Sequence, residues 1–142
     1  MNPQMKVTAD DVVRTARSWL GTPYHHQGRL KGVGVDCAGL LVGVAQELGL
    51  SDFDVMGYTM RPDGESLRRH CDMQMKSITR EELAAGDVLL FTFDAHPGHL
   101  GILSTPEHLI HAYLPRRKVV EHGMDAWWWA QAAGFYRFPG VH

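Results

Sequence analysis

The chain has 142 residues, 44% of them hydrophobic and 21% charged, with a formal net charge of −2. That length suits one domain with its own core, and the composition excludes a mainly disordered chain. The near-neutral balance excludes a nucleic-acid binder that works through a general basic field. No apolar run approaches the roughly 18 residues of a membrane span. Met1 to Lys6 has no apolar core behind it, so the reading expects no secretion leader, synthesis in the cytoplasm, and a single domain over residues 1–142.

Thr8 opens Thr-Ala-Asp-Asp, a helix N-cap followed by acids in the first turn. Val12, Val13, Ala16, Trp19 and Leu20 then recur at helical spacing, and Gly21-Thr22-Pro23 ends the helix. Residues 24 to 35 are rich in glycine, carry His25 and His26, and read as a loop. From Cys37 to Leu48 the apolar positions Leu40, Leu41, Val44, Ala45 and Leu48 predict a second helix, stopped by Gly49. Residues 51 to 64 read as irregular and 65 to 73 as a short helix.

The period then changes. Asp87 to Phe93 reads as a buried strand after the turn at Ala85-Gly86. Further strands are expected at His99 to Leu103, Leu109 to Tyr113, Lys118 to His122 and Gly134 to Phe138. Helices first and an antiparallel meander of about five strands second make the class α+β.

Two features point to chemistry. Cys37 stands at the predicted start of a helix, where free N–H groups and the positive end of the dipole favour thiolate over thiol. A thiolate is the attacking species in cysteine chemistry. The plain alternative is a buried, inert cysteine. The second cysteine, Cys71, carries no such placement, and a chain without a leader gives no reason to expect a disulfide.

The second feature is histidine. The chain holds nine, and His96, His99, His108 and His111 fall within 16 residues. If Ser104, Thr105 and Pro106 form the loop of a hairpin, Leu109 faces Gly101 and His111 faces His99. Side chains alternate across a sheet, so both imidazoles share a face. One can act as base and the other as its orienting partner, with Cys37 as nucleophile. His96 is the rival base, but it precedes Pro97 in an expected turn, whereas His99 opens a strand and small Gly101 leaves room for a substrate. His25, His26, His70, His108, His122 and His142 read as surface or loop residues. Tyr24 is either a packed aromatic or a donor to a developing oxyanion. Asp36 is either the helix N-cap or a ligand for a substrate amine.

A metal reading rests on His96-x-x-His99 and His108-x-x-His111. No His-Glu-x-x-His is present, and pairs three apart fit a helix better than these strand and turn segments. The reading therefore takes no metal and no cofactor. A third reading, an assembly protein that keeps a peptidase fold without activity, stays open because a fold does not fix a function.

The pieces Gly21-Thr22-Pro23-Tyr24, Val35-Asp36-Cys37-Ala38-Gly39, Gly86-Asp87-Val88-Leu89-Leu90-Phe91, His99-Leu100-Gly101-Ile102 and Ile110-His111-Ala112 resemble, in that order, the NlpC-type family of papain-like peptidoglycan peptidases. Cysteine ahead of both histidines matches this group and not its circularly permuted relatives. The resemblance implies a papain-like core with Cys37 as nucleophile, His99 as base and His111 as the polar third residue. It also implies Tyr24 near the oxyanion and Asp36 in substrate binding. One departure is Ala38, where many members carry serine.

A narrower resemblance is to a phage-type branch of that family, found in tail-tip proteins of siphophages and in gene transfer agents. It rests on Gly21 to Gly28 with Lys31-Gly32-Val33-Gly34, and on Trp127-Trp128-Trp129 leading to Phe135-Tyr136-Arg137-Phe138-Pro139-Gly140. The tryptophan run also reads as core packing of the last strand against the first helix. The resemblance implies an enzyme that cuts peptidoglycan stem peptides at the γ-D-glutamyl bond to a diamino acid. It would be carried in the virion tail tip beside hub or baseplate proteins and act on the host wall. The alternative is a cytoplasmic enzyme that recycles wall peptides.

Overall fold

A computed structural model of the chain describes residues 6–50, 66–93 and 96–141. The segment 51 to 64, read from sequence as irregular, lies outside the described residues, as does His142.

Helix α1 spans Ala9–Arg17. Thr8 Oγ1 accepts from the Asp11 N–H and the Asp11 carboxylate accepts from the Thr8 N–H, so two orphan donors of the first turn are satisfied reciprocally. The helix ends before Trp19 and Leu20, which lie in tighter turns. There Trp19 N–H bonds Ala16 O and Leu20 N–H bonds Arg17 O. Trp19 is nonetheless buried, and it lies against Gly43 of the second helix. A Cβ at Gly43 would stand 2.2 Å from the indole.

The loop 24–35 is not wholly irregular. Arg29–Leu30 (β1) and Gly34–Val35 (β2) form a small antiparallel ribbon. Helix α2, Cys37–Glu47, follows at once and is buried from Cys37 through Ala45. It is apolar all round because the ribbon, α1 and the sheet enclose it. Helix α3 is Ser66–Gln74.

The remaining strands are β3 (Lys76–Ser77), β4 (Val88–Phe93), β5 (His96–Thr105), β6 (His108–Tyr113), β7 (Lys118–Gly123) and β8 (Ala132–Arg137), with helix α4 at Ala126–Gln131. They form one six-stranded antiparallel sheet in the order β3-β8-β4-β5-β6-β7. This corrects the expectation of about five strands in a meander. β4 to β7 do meander, but α4 carries the chain back so that β8 pairs with the far side of β4. The sixth strand, β3, has two residues, too few to show a period.

Both sheet faces around β4 are covered. Val88, Leu90, Leu100, Ile102, Ile110 and Ala112 face the helices. Leu89, Phe91, Leu103 and Leu109 face a second layer with Phe93, Trp128 and Phe135. That is why β4 to β6 read as near-continuous apolar runs rather than as an alternation. Asp87, buried at the head of β4, is held by Arg137 of β8 through Nε and a terminal nitrogen, each at 2.8 Å, and by the Ala84 N–H. A bidentate, hydrogen-bonded pair of this kind tolerates burial; removing either partner strands the other charge.

Candidate active site

Asp36 is the N-cap of α2, with Oδ1 accepting from the Gly39 N–H at 2.8 Å. Its other oxygen accepts from the Gln27 N–H at 2.7 Å, and Arg29 reaches Oδ1 at 3.3 Å. One buried carboxylate thus caps the helix and fastens the preceding loop onto it. Gly39 makes this possible, since a Cβ there would lie 2.3 Å from the Gly28 carbonyl oxygen. Of the two sequence readings of Asp36, the geometry displays the cap.

The cap fixes Cys37 as the first residue of α2. The backbone N–H groups of Leu100, Ala38 and Cys37 itself favour the thiolate and act to lower its pKa. Leu100 follows His99 in β5, so its influence places the thiol near that strand. Burial nevertheless outweighs these donors and, with the Asp36 charge, pushes the Cys37 thiol up to about 12. The expectation that the helix start lowers the thiol pKa is therefore reversed, because the helix start is enclosed by the core and desolvation favours the neutral form. Ala38 lines an apolar pocket with Leu67, Cys71, Met75 and Leu100.

Tyr24 reaches the site through a strip of backbone. Gly21 N–H bonds Val119 O, Val119 N–H bonds Thr22 O, Tyr24 N–H bonds Arg117 O, and Val35 N–H bonds Pro23 O. The strip lies between the start of β7 and the ribbon, and brings the Tyr24 hydroxyl into the field of Cys37. Burial, then the charges of Cys37 and Asp36, hold that hydroxyl well above the usual tyrosine range, so it keeps its proton and remains a donor.

The histidines form a file. His99 Nε2 lies 2.6 Å from His111 Nδ1, His111 Nε2 lies 2.8 Å from His122 Nε2, and His122 Nδ1 lies 2.8 Å from the Gly123 carbonyl oxygen. The register behind the first contact differs from the expected one. Leu103 pairs with Leu109 and Ile102 with Ile110, after a bulge at the turn where Thr105 pairs with His108. The hairpin is thus shifted by two residues. An even shift keeps each residue on its face, so His99 and His111 still share one, as diagonal rather than directly opposed neighbours. Gly101 does not make room for a substrate, as the sequence suggested. Its missing side chain makes room for Leu109 and His111, whose atoms would lie 2.6 and 3.2 Å from a Cβ there.

His108 points elsewhere, as strand alternation requires, and bonds Thr105 Oγ1 at 2.9 Å. The side chain of His96 lies outside the described residues; its backbone opens β5 rather than a turn. Among the described residues no group of three or more His, Cys, Asp or Glu side chains is arranged to hold a metal ion.

His122 corrects the sequence reading most. It is not a free surface residue but half-buried in β7, against the ring of His111. The tryptophan run is also placed differently. Trp128 packs edge-on to His111 at 5.1 Å and against Phe91, Tyr113 and His122, not against α1. Trp127, Phe93, Tyr113, Tyr24 and His99 line an open cleft of about 380 Å³. The signal that could have found His122 was the β6–β7 hairpin. Four turn residues, Leu114 to Arg117, set His122 opposite Leu109 and so diagonal to His111.

Burial, followed by the charge of His122, pulls the His99 pKa down to about 3. Burial, followed by His99 and His122, pulls His111 down as well. Unfolded histidine titrates near 6.5. Below that pH the unfolded chain binds protons that the folded chain refuses, so stability is lost as the pH falls. The slope is up to about 1.4 kcal/mol per pH unit for each histidine, about 2 kcal/mol each by pH 5. Urea midpoints are expected to drop between pH 7.5 and 5, and less steeply in His111→Asn. Midpoints independent of pH over that window would contradict neutral burial of the pair.

The chain is similar to known proteins. Residues 21–136 match the NlpC/P60 family. The chain is 27% identical over 113 residues to the γ-D-glutamyl-L-lysine dipeptidyl-peptidase of Bacillus subtilis (strain 168), spanning 77% of this chain and 33% of that protein. It thus spans about a third of the length of the curated relative it matches. Among solved structures, an NlpC/P60 family protein from Bacillus cereus ATCC 10987 superposes with a TM-score of 0.71 at 23% identity, covering 94% of this chain and 41% of that one. The peptidoglycan hydrolase RipB from Mycobacterium tuberculosis superposes with a TM-score of 0.62 at 19% identity, covering 91% and 63%. With the family's match running from the strip that carries Tyr24 through the strand that closes the sheet, this chain belongs to the NlpC/P60 family.

Proposed function

We propose that the protein is a cysteine peptidase of peptidoglycan stem peptides, cutting the γ-D-glutamyl bond to a diamino acid. The observation that carries this is the buried pair His99–His111, with Nε2 of His99 in β5 held 2.6 Å from His111 Nδ1; the Leu100 backbone of the same strand acts on the thiol of Cys37 at the head of α2. With Nε2 of His99 engaged, Nδ1 is the nitrogen left for the thiol.

The thiol proton passes to His99 Nδ1 as sulfur attacks the γ-carbonyl carbon. The tetrahedral oxyanion takes hydrogen bonds from Tyr24 Oη and from the N–H groups at the start of α2. His99 returns the proton to the leaving amine nitrogen as the C–N bond breaks, which leaves a thioester on Cys37. His99 then takes a proton from water as its oxygen attacks the thioester. The sulfur leaves with that proton and the glutamyl carboxylate is released. The name of the Bacillus subtilis relative supports the choice of bond, and the aromatic cleft beside His99 offers a surface for the departing diamino acid.

The finer reading, from the residues of the phage-type resemblance, is that tail-tip proteins carry the enzyme to the host wall. Purified sacculi and free stem peptides are the test substrates, with mass analysis of the products. Release of fragments ending in D-glutamate from both, and detection of this chain in purified particles, are expected. Intact stem peptides in both digests would overturn the peptidase reading and leave an assembly role. Cleavage of free peptides alone, with the chain missing from particles, would replace delivery by recycling.

A further inference from the structure

The file of histidines ends on an atom with no choice. A carbonyl oxygen can only accept, so His122 Nδ1, 2.8 Å from Gly123 O, must carry a hydrogen. While the ring of His122 is neutral, its Nε2 is then an acceptor, and His111 Nε2, 2.8 Å away, must donate to it. A neutral His111 that donates from Nε2 accepts at Nδ1. His99 Nε2, 2.6 Å away, must therefore donate, which leaves His99 Nδ1 with its lone pair free. Each step is forced by the one before it, because a neutral imidazole has one donor and one acceptor.

We propose that His122 is a positioning residue that, anchored on the Gly123 carbonyl, sets the tautomers of His111 and His99 so that His99 presents a bare Nδ1 to the thiol. The consequence for catalysis rests on the peptidase reading above; the tautomer order itself does not. The neighbours fit such a role. Trp128 packs against the rings of both His111 and His122, and His111 is fully buried, so no water can replace a missing partner there. Without an acceptor at its Nε2, buried His111 gains by moving its hydrogen to Nδ1. Its Nδ1 then donates to His99 Nε2 and forces the hydrogen of His99 onto Nδ1, the nitrogen that must be bare.

The test uses the whole protein with ¹⁵N-labelled histidine. Two-bond ¹H–¹⁵N correlation at neutral pH is expected to show His99 and His111 as Nε2–H tautomers in the wild type. In His122→Phe, which keeps an aromatic ring against Trp128, both shift toward Nδ1–H. In His122→Gln, whose amide oxygen can accept from His111, the Nε2–H form returns. On stem peptide, kcat is expected to fall about tenfold to a hundredfold in His122→Phe, with KM unchanged and kcat largely restored in His122→Gln. A fully wrong tautomer costs a serine-protease triad about 10⁴. A wild-type His99 in the Nδ1–H form, or unchanged tautomers in His122→Phe, would overturn the proposal. A wild type inactive on all stem peptides would overturn the peptidase reading instead, while the spectra still decide the tautomers.

Discussion

Cys37→Ala is expected to lower turnover on stem peptide by at least about 10⁴, with the fold kept, because loss of the proposed nucleophile removes the whole covalent route. Alanine is a good helix former, and Asp36 continues to cap α2. Cys71→Ala is the control. Both thiols are buried and burial pushes both up to about 12, so acidity does not tell them apart. Position does. Cys37 opens α2, where backbone N–H groups of that helix and of Leu100 favour its thiolate, whereas Cys71 sits beside Asp72 under an apolar pocket. Cys71→Ala is expected to cost about 1 kcal/mol of stability as a small cavity and to leave kcat near wild type. A dead Cys71 variant beside an active Cys37 variant would exchange the roles. Alkylation adds a check on the resting state. With a thiol this high, the rate of inactivation by iodoacetamide rises about tenfold per pH unit from pH 7 to 10 and does not level near 8.5. EDTA is expected to leave activity unchanged. A rate already flat at pH 6 would mean that thiolate and imidazolium form a pair at rest.

The histidines should separate by role. His99→Ala is expected to cost about 10³ to 10⁴ in kcat, since in the proposed mechanism His99 both takes and returns the proton. His111→Ala should cost less, because a ring that orients the base carries no proton to the substrate. Triad members act as a unit, so His99→Ala with His111→Ala should cost little more than His99→Ala alone. Stability should rank the other way. His111 is fully buried in contact with Tyr113, Trp128 and His122, and its loss leaves a cavity and two unpaired ring nitrogens. A cost of about 2 to 4 kcal/mol is expected for His111→Ala. His99, at the rim of the cleft, should cost less. Activities must therefore be compared where circular dichroism shows each variant folded. Additive losses in the double variant, or a larger kcat loss for His111 than for His99, would mean that the two do not act as base and orienter.

Local chemistry alone was enough for much of this protein. Thr8 and Asp36 cap helices wherever a helix follows them, so the position of Cys37 at the head of α2 was legible from the residues around it. The strict period of two in strands was enough to put His99 and His111 on one face, and that conclusion survived a register two residues from the expected one. Distances along the chain do not reveal what only packing supplies. The bulge at Thr105 slid the hairpin and turned a direct pair into a diagonal one. The return of the chain through α4 placed Trp128 on His111 rather than on α1. The β6–β7 pairing brought His122 in from what read as surface. Above all, the electrostatic sign at Cys37 was set by the tertiary structure. A helix start favours the thiolate, but α2 begins inside the core, and removing a charge from water costs more than the nearby backbone N–H groups and a helix dipole return.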